Sequence, residues 1–198
     1  MRFASLAAAA LLLSAAAFAQ EIDKGKILGS PAAPVRIEVY SDFACPACRS
    51  FHEQMLPLIV RDYVMQGKVA IVNREFPLNI PAHKYSREAA NYATAAARLG
   101  IYQPVSDQLF RNQESWSASG KVWETVAGVL NAEQQKKIQA LVHESSITAE
   151  VQHDLDAGNG LRVNSTPSIF LVRGSQRLPI PFPVNYSFLR SLLDGYTK

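Results

Sequence analysis

Apolar and polar positions alternate from Val35 to Tyr40, and this period of two in a β-branched stretch predicts a strand. The period changes after Cys45. From Pro46 onward Phe51, Met55, Leu58 and Ile59 recur at helical spacing, and Gly67 offers the left-handed cap that ends such a helix. Val69 to Val72 predicts a second strand, which Phe76-Pro77 and Pro81 keep from continuing.

The middle of the chain is helical in period. Tyr85, Ala89, Tyr92, Ala93 and Ala96 form one apolar face, and Gly100 can end that helix. Shorter stripes follow at Val105, Leu109 and Phe110, and at Val122, Trp123, Val126 and Val129. Asn131 is placed to cap a helix carrying Ile138, Leu141 and Val142, and Ile147, Val151 and Leu155 mark one more, ending by Gly158 or Gly160. The Tyr and Trp residues in these stripes read as core. Strands return at Ser168 to Val172. Arg173 to Gln176 predicts a hairpin turn, and Arg177 to Val184 stays extended. Pro179, Pro181 and Pro183 suit an edge strand, because proline cannot donate to a ladder. Phe188, Leu189, Leu192 and Leu193 predict a closing helix.

The order is strand, helix, strand, helical block, strand, strand, helix. It predicts an α/β chain: a small mixed sheet with a helical insertion over about residues 83–158 covering one end.

The N-terminus follows a different logic. Met1-Arg2-Phe3 is short and positive, Ala4 to Phe18 is apolar, and Ala17-Phe18-Ala19 is a small-x-small site. That is the layout of a secretory signal peptide over residues 1–19, cleaved after Ala19. The run is short for a membrane span, which needs about 20 apolar residues. The expected mature chain, residues 20–198, suits one domain with its own core. Losing Arg2 takes the formal charge from +3 to +2. No basic run is present, so nothing points to nucleic acid or an anionic membrane surface.

Cysteine changes the picture most. The chain has two, Cys45 and Cys48, in Cys45-Pro46-Ala47-Cys48. A disulfide closing so short a loop restrains little of the unfolded chain, so a purely structural bridge is disfavoured. With Cys45 as helix cap, Pro46 takes the first helical position, where its missing N–H costs nothing. Free N–H groups and partial positive charge at the helix start favour a thiolate, lowering a cysteine pKa from about 8.5 to roughly 3.5–7. Cys45 then exchanges with substrate, and Cys48, one turn on and tucked behind, resolves the mixed disulfide. Ala47 adds no charge, so a moderately low pKa is expected. A metal reading would use Cys45, Cys48 and His52. A structural zinc site wants four ligands, and His83, His143 and His153 stand at unrelated spacings. No metal or other cofactor is expected, and His52 reads as a helix-surface residue or a minor electrostatic neighbour of Cys48.

At this point the residues resemble a known family. Val35 to Glu53 looks like the active-site segment of DsbA-like thioredoxin-fold proteins, and Gly160 to Ser168 is similar to the family's segment holding a cis-proline opposite the cysteines. The resemblance covers about residues 31–196. It implies a thioredoxin fold with an inserted α-helical subdomain, Cys45 as nucleophile, Cys48 as resolving cysteine and Pro167 as the cis-proline. Thr166 before it is implied to present its backbone to a substrate peptide, which can then pair in strand fashion. Two departures stand out. The family often places an acid six positions before the first cysteine, where this chain has Val39; Glu38 points to the other face, leaving proton transfer to water, to Asp42 or to nothing special. Asn164-Ser165 stands where a glycine is common, which can reshape the substrate groove.

Three functions fit. The first is an oxidase that gives its disulfide to reduced exported proteins and is reoxidised by a membrane quinone-linked partner. The second is a reductase or isomerase, and the third a peptide-binding chaperone whose cysteines are incidental. Isomerases of the resembled fold carry an N-terminal dimerisation domain of several dozen residues, whereas about 15 residues separate Ala19 from the first clear strand here. The expectation is therefore a monomeric oxidase, periplasmic or secreted, acting through Cys45 and Cys48 with Pro46, Ala47, Thr166 and Pro167 in support.

Overall fold

The structure, a computed structural model, describes residues 24–198. The expected signal segment and its cleavage site lie outside the described residues. Five strands form one mixed sheet: β1 (Ile27–Leu28), β2 (Val35–Ser41), β3 (Val69–Glu75), β4 (Ser168–Arg173) and β5 (Gln176–Ile180), in spatial order β1-β3-β2-β4-β5. β2 and β3 run parallel, and the other pairs are antiparallel. β5 lies at an edge, which is why it accommodates Pro179. Gly174, at φ +58°, turns β4 into β5.

The crossover between β2 and β3 is one helical run over residues 46–64. It comprises α1 (Pro46–Ser50), a π turn (Phe51–Met55), α2 (Leu56–Ile59) and a second π turn (Val60–Val64). Pro57 is the second residue of α2 and has no N–H to give the preceding turn; the wider turn just before α2 accommodates that gap. The run buries Phe51, Ile59 and Tyr63 against Ile37 and Val39 of β2, Val69 and Ile71 of β3 and Leu171 of β4. Leu189 and Leu193 of α9 (Tyr186–Tyr196) complete that layer, while Phe188 is half exposed.

Between β3 and β4 lie α3 (Ser86–Arg98), α4 (Tyr102–Arg111), α5 (Gln113–Ser119), α6 (Val122–Ala127), α7 (Ala132–Leu141) and α8 (Ser145–Gly160). The expected apolar stripes meet in one cluster that includes Ala89, Ala93, Leu109, Trp116, Val126 and Ile138. Asn131 caps α7 through a full capping box with Gln134. Val129 falls outside that core, exposed beyond the end of α6. The opposite sheet face carries Tyr40, Phe76, Phe170 and Val172, with Leu155 of α8 against them. Gly158 makes that approach possible, because a Cβ there would stand 2.6 Å from the Phe76 ring.

Two features escape the hydrophobic pattern. β1 is only two residues long, and β3 runs three residues past Val72 through Asn73, Arg74 and Glu75. Polar partners hold both in place. Lys26, 2% exposed, binds Asp154 at 3.0 Å and Glu150 at 3.2 Å; Arg74 binds Asp154 at 2.8 Å; Glu75 accepts from the Tyr102 hydroxyl at 2.8 Å. A buried charge is tolerated when it is paired in this way.

Candidate active site

β2 delivers the chain into a turn, Asp42-Phe43-Ala44, that ends on Cys45. The Cys45 N–H donates to the Asp42 carbonyl at 3.0 Å, and the Asp42 carboxylate organises the rest of the turn. One of its oxygens accepts from the Ala44 N–H at 2.7 Å and from the Ser86 hydroxyl; the other accepts from the Leu78 N–H at 2.8 Å and from His83 Nδ1 at 2.7 Å. With four partners and 1% exposure, Asp42 is a structural post for the turn.

Cys45 is the extended N-cap residue of α1, at φ −80° and ψ 118°, and Pro46 is the first helical residue. Both cysteines are free thiols in this state. The Cys45 thiol donates to the Thr166 carbonyl oxygen at 3.3 Å, and Thr166-Pro167 is cis. Cys45 is 7% exposed and Cys48 is fully buried. Cys45 is thus the sulfur that a partner can reach.

The electrostatics separate the two thiols. The Cys45 pKa is lowered to about 5, first by a hydrogen bond from the Cys48 thiol. Burial opposes this; the Thr166 hydroxyl and the N–H groups of Cys48 and Ala47 add to it. That hydroxyl is buried and makes no full hydrogen bond with the thiols protonated, so a thiolate provides the acceptor it lacks. The Cys48 thiol is pushed well up, first by burial, then by its hydrogen bond to Cys45 and the charge there. The pair is therefore an accessible thiolate backed by a buried thiol.

A second anchor comes from the helical block. Gln113, 2% exposed at the start of α5, donates from Nε2 to the carbonyls of Phe43 at 2.6 Å and Cys45 at 2.9 Å. The Cys45 carbonyl also accepts from Arg49 N–H at 3.1 Å, the first backbone bond of α1. The cysteine backbone is thereby held from both its own helix and the insertion.

A family model described as Thioredoxin matches residues 21–176. The chain belongs to the thioredoxin family. A probable disulfide bond formation protein D of Bacillus cereus is 27% identical over 148 residues, covering 73% of this chain and 68% of that protein. Wolbachia pipientis alpha-DsbA1 superposes with TM-score 0.74 at 19% identity, over 87% of this chain and 90% of that one. Oxidised BdbD of Bacillus subtilis gives 0.73 at 19% identity, over 88% and 94%. Within the family this is a DsbA-like protein thiol–disulfide oxidoreductase with a thioredoxin fold.

In this DsbA-like chain, α1 and the segment before β4 bring Cys45, Pro46, Ala47, Cys48, Thr166 and Pro167 together. Pro46 is exposed, and Ala47 is partly buried beside the cysteine cluster. Val39, where the family often has an acid, is buried among apolar side chains. Glu38 points to the opposite sheet face and pairs with Arg177 at 3.2 Å. His52 is not the surface residue expected. Its Nε2 lies 2.7 Å from Asp107 and its ring packs on Phe110 at 4.5 Å, so it ties the crossover helix to α4. Among the described residues no group of His, Cys, Asp and Glu is arranged to hold a metal ion.

Sequence reasoning missed Gln113 and Glu75. A signal for Gln113 was available, because it shares the helical phase of Leu109 and Trp116 and so interrupts an apolar stripe with an amide. Glu75 carried no such mark. Burial pushes its pKa up to about 7, although Lys26 and the Tyr102 hydroxyl pull the other way.

Proposed function

We propose that the protein is an exported dithiol oxidase that introduces disulfides into reduced secreted or periplasmic proteins. The observation that carries this reading is the pairing of a Cys45 pKa of about 5 with a fully buried Cys48. A stabilised thiolate favours the reduced form of the protein, and so makes its disulfide the stronger oxidant.

The chemistry balances on the two cysteines alone. A substrate thiolate attacks the Cys45 sulfur of the Cys45–Cys48 disulfide; Cys48 leaves and takes up a proton, as its raised pKa favours. The second substrate thiolate then attacks the substrate sulfur of the mixed disulfide and expels Cys45 as its stable thiolate. Two electrons pass from substrate to enzyme. Pro46 and Ala47 shape the helix start, and Thr166 and Pro167 present backbone to the substrate segment. Regeneration requires an electron acceptor, read here as a membrane quinone-linked partner.

The export reading rests on residues 1–19 as a signal peptide cleaved after Ala19. In this reading the mature chain, residues 20–198, is one monomeric domain with the insertion at about 83–158. The reduction potential tests the direction of transfer. Equilibration with glutathione should place it near −120 to −180 mV, whereas a value near −270 mV would replace this reading with a reductase.

A further inference from the structure

We infer that a basic cavity beside the cysteine turn is a substrate subsite for an acidic side chain flanked by an apolar residue. This deepens the oxidase reading and rests on it. The cavity, about 290 Å³, follows β3 and is lined by Leu78, Ile80, His83, Lys84 and Arg87, with Pro77 and Asn79.

Hydrogen bonds tie the cavity to the cysteine turn. Leu78 N–H and His83 Nδ1 donate to the Asp42 carboxylate, and the Asp42 carbonyl receives the Cys45 N–H. On the other side Leu78 packs into the cluster of Tyr40, Phe76 and Val163, and Val163 lies three residues before Thr166. The cavity therefore adjoins the turn that carries Cys45, and its Leu78 joins the cluster that holds Val163. In this proposal a substrate strand held at Cys45 and Thr166 brings a flanking side chain to the cavity.

The chemistry of the lining selects the ligand. Lys84 and Arg87 are exposed, and none of the lining residues is acidic. Lys84 Nζ rests 5.1 Å from the Tyr85 ring centroid, and Arg87 gives one bond to Gln152 at 3.0 Å, which leaves other guanidinium donors free. His83 faces the Asp42 carboxyl group, which is buried and engaged in four hydrogen bonds. Leu78, Pro77 and the half-exposed Ile80 supply an apolar floor. Two outward cations over apolar carbon suit a carboxylate side chain on an extended polypeptide with an apolar neighbour.

The test uses two dithiol peptides that differ only in Asp or Lys beside the cysteine. With oxidised protein in single turnover, the Asp peptide should react about threefold faster, the effect of two solvent-screened ion pairs. That preference should vanish as salt rises from about 20 mM to about 500 mM, where the screening length shrinks to a few ångströms. Lys84→Glu with Arg87→Glu should reverse the preference; Lys84→Gln alone should halve it and serves if the double variant does not fold. A preference unchanged by salt or by either variant overturns the subsite. Serine-for-cysteine versions of the peptides, followed by fluorescence anisotropy, read the cavity without redox chemistry. Equal binding, or tighter binding of the Lys version, overturns the subsite; tighter binding of the Asp version while the dithiol peptides go unoxidised supports it and counts against the oxidase.

Discussion

The Cys45 sulfur lies 3.3 Å from the carbonyl oxygen of Thr166, a residue 121 positions further along the chain. The reactive sulfur of the helix cap thus shares its surroundings with the cis-Thr166-Pro167 bond that opens β4. The Thr166 hydroxyl helps to lower the Cys45 pKa, so the far segment contributes to the chemistry as well as to the shape of the site.

Alkylation should report this asymmetry directly. In the reduced protein, iodoacetamide should label Cys45 at pH 6, with a rate that titrates near pH 5. Peptide mapping after a short pulse identifies the labelled cysteine. Preferential labelling of Cys48, or a midpoint near that of a free thiol, would contradict the assignment.

Stability should depend on pH differently in the two redox states. Between about pH 5 and the usual thiol value near 8.5, the unfolded reduced chain holds a proton that folded Cys45 has lost. Reduced protein should therefore gain stability as pH rises across that window and lose it as pH falls through 5. Above the window the raised Cys48 pKa works in the opposite sense. The disulfide form has no thiol to titrate, so the urea midpoint of the reduced form should rise relative to that of the disulfide form from pH 5 to pH 8. A constant difference would show that the thiolate is not stabilised by the fold.

Gln113→Ala removes the donor shared by the Phe43 and Cys45 carbonyls. Losing buried hydrogen bonds of this kind costs about 1–3 kcal/mol. The Cys45 alkylation midpoint should also rise, because the cap geometry that presents the N–H groups of Ala47 and Cys48 loosens. Urea unfolding and the alkylation profile separate the two effects. A loss of stability with an unmoved midpoint would make Gln113 a support of the fold alone.

Glu75 adds a titration of its own. Its folded pKa of about 7 exceeds the unfolded carboxylate value, so folded protein binds the extra proton between about pH 4.5 and 7. Its contribution should fall as pH rises through that window, by on the order of 1–3 kcal/mol at most. Glu75→Gln keeps an acceptor for the Tyr102 hydroxyl and should flatten that slope. An unchanged slope by differential scanning calorimetry would exclude Glu75 as its source.

Elements with regular apolar periodicity, and the local chemistry of Cys45-Pro46-Ala47-Cys48, were legible in the amino-acid sequence. Strand alternation in β2, the stripes of α3 and α4, the Asn131 cap and the proline-bearing edge strand are nearest-neighbour effects, written in consecutive residues. Tertiary structure decided everything that depends on polar groups meeting across the chain. Lys26 and Asp154 meet over 128 positions, Gln113 and Cys45 over 68, and His52 and Asp107 over 55. Gln113 alone marked itself, as an amide in an apolar stripe, but its partner did not; one buried hydrogen bond constrains one residue and not a face. The same holds for the thiolate. Pro46 announced a helix start, but the value near 5 needed Cys48 fully buried and the Thr166 hydroxyl brought to the sulfur, and only the closed fold supplies both.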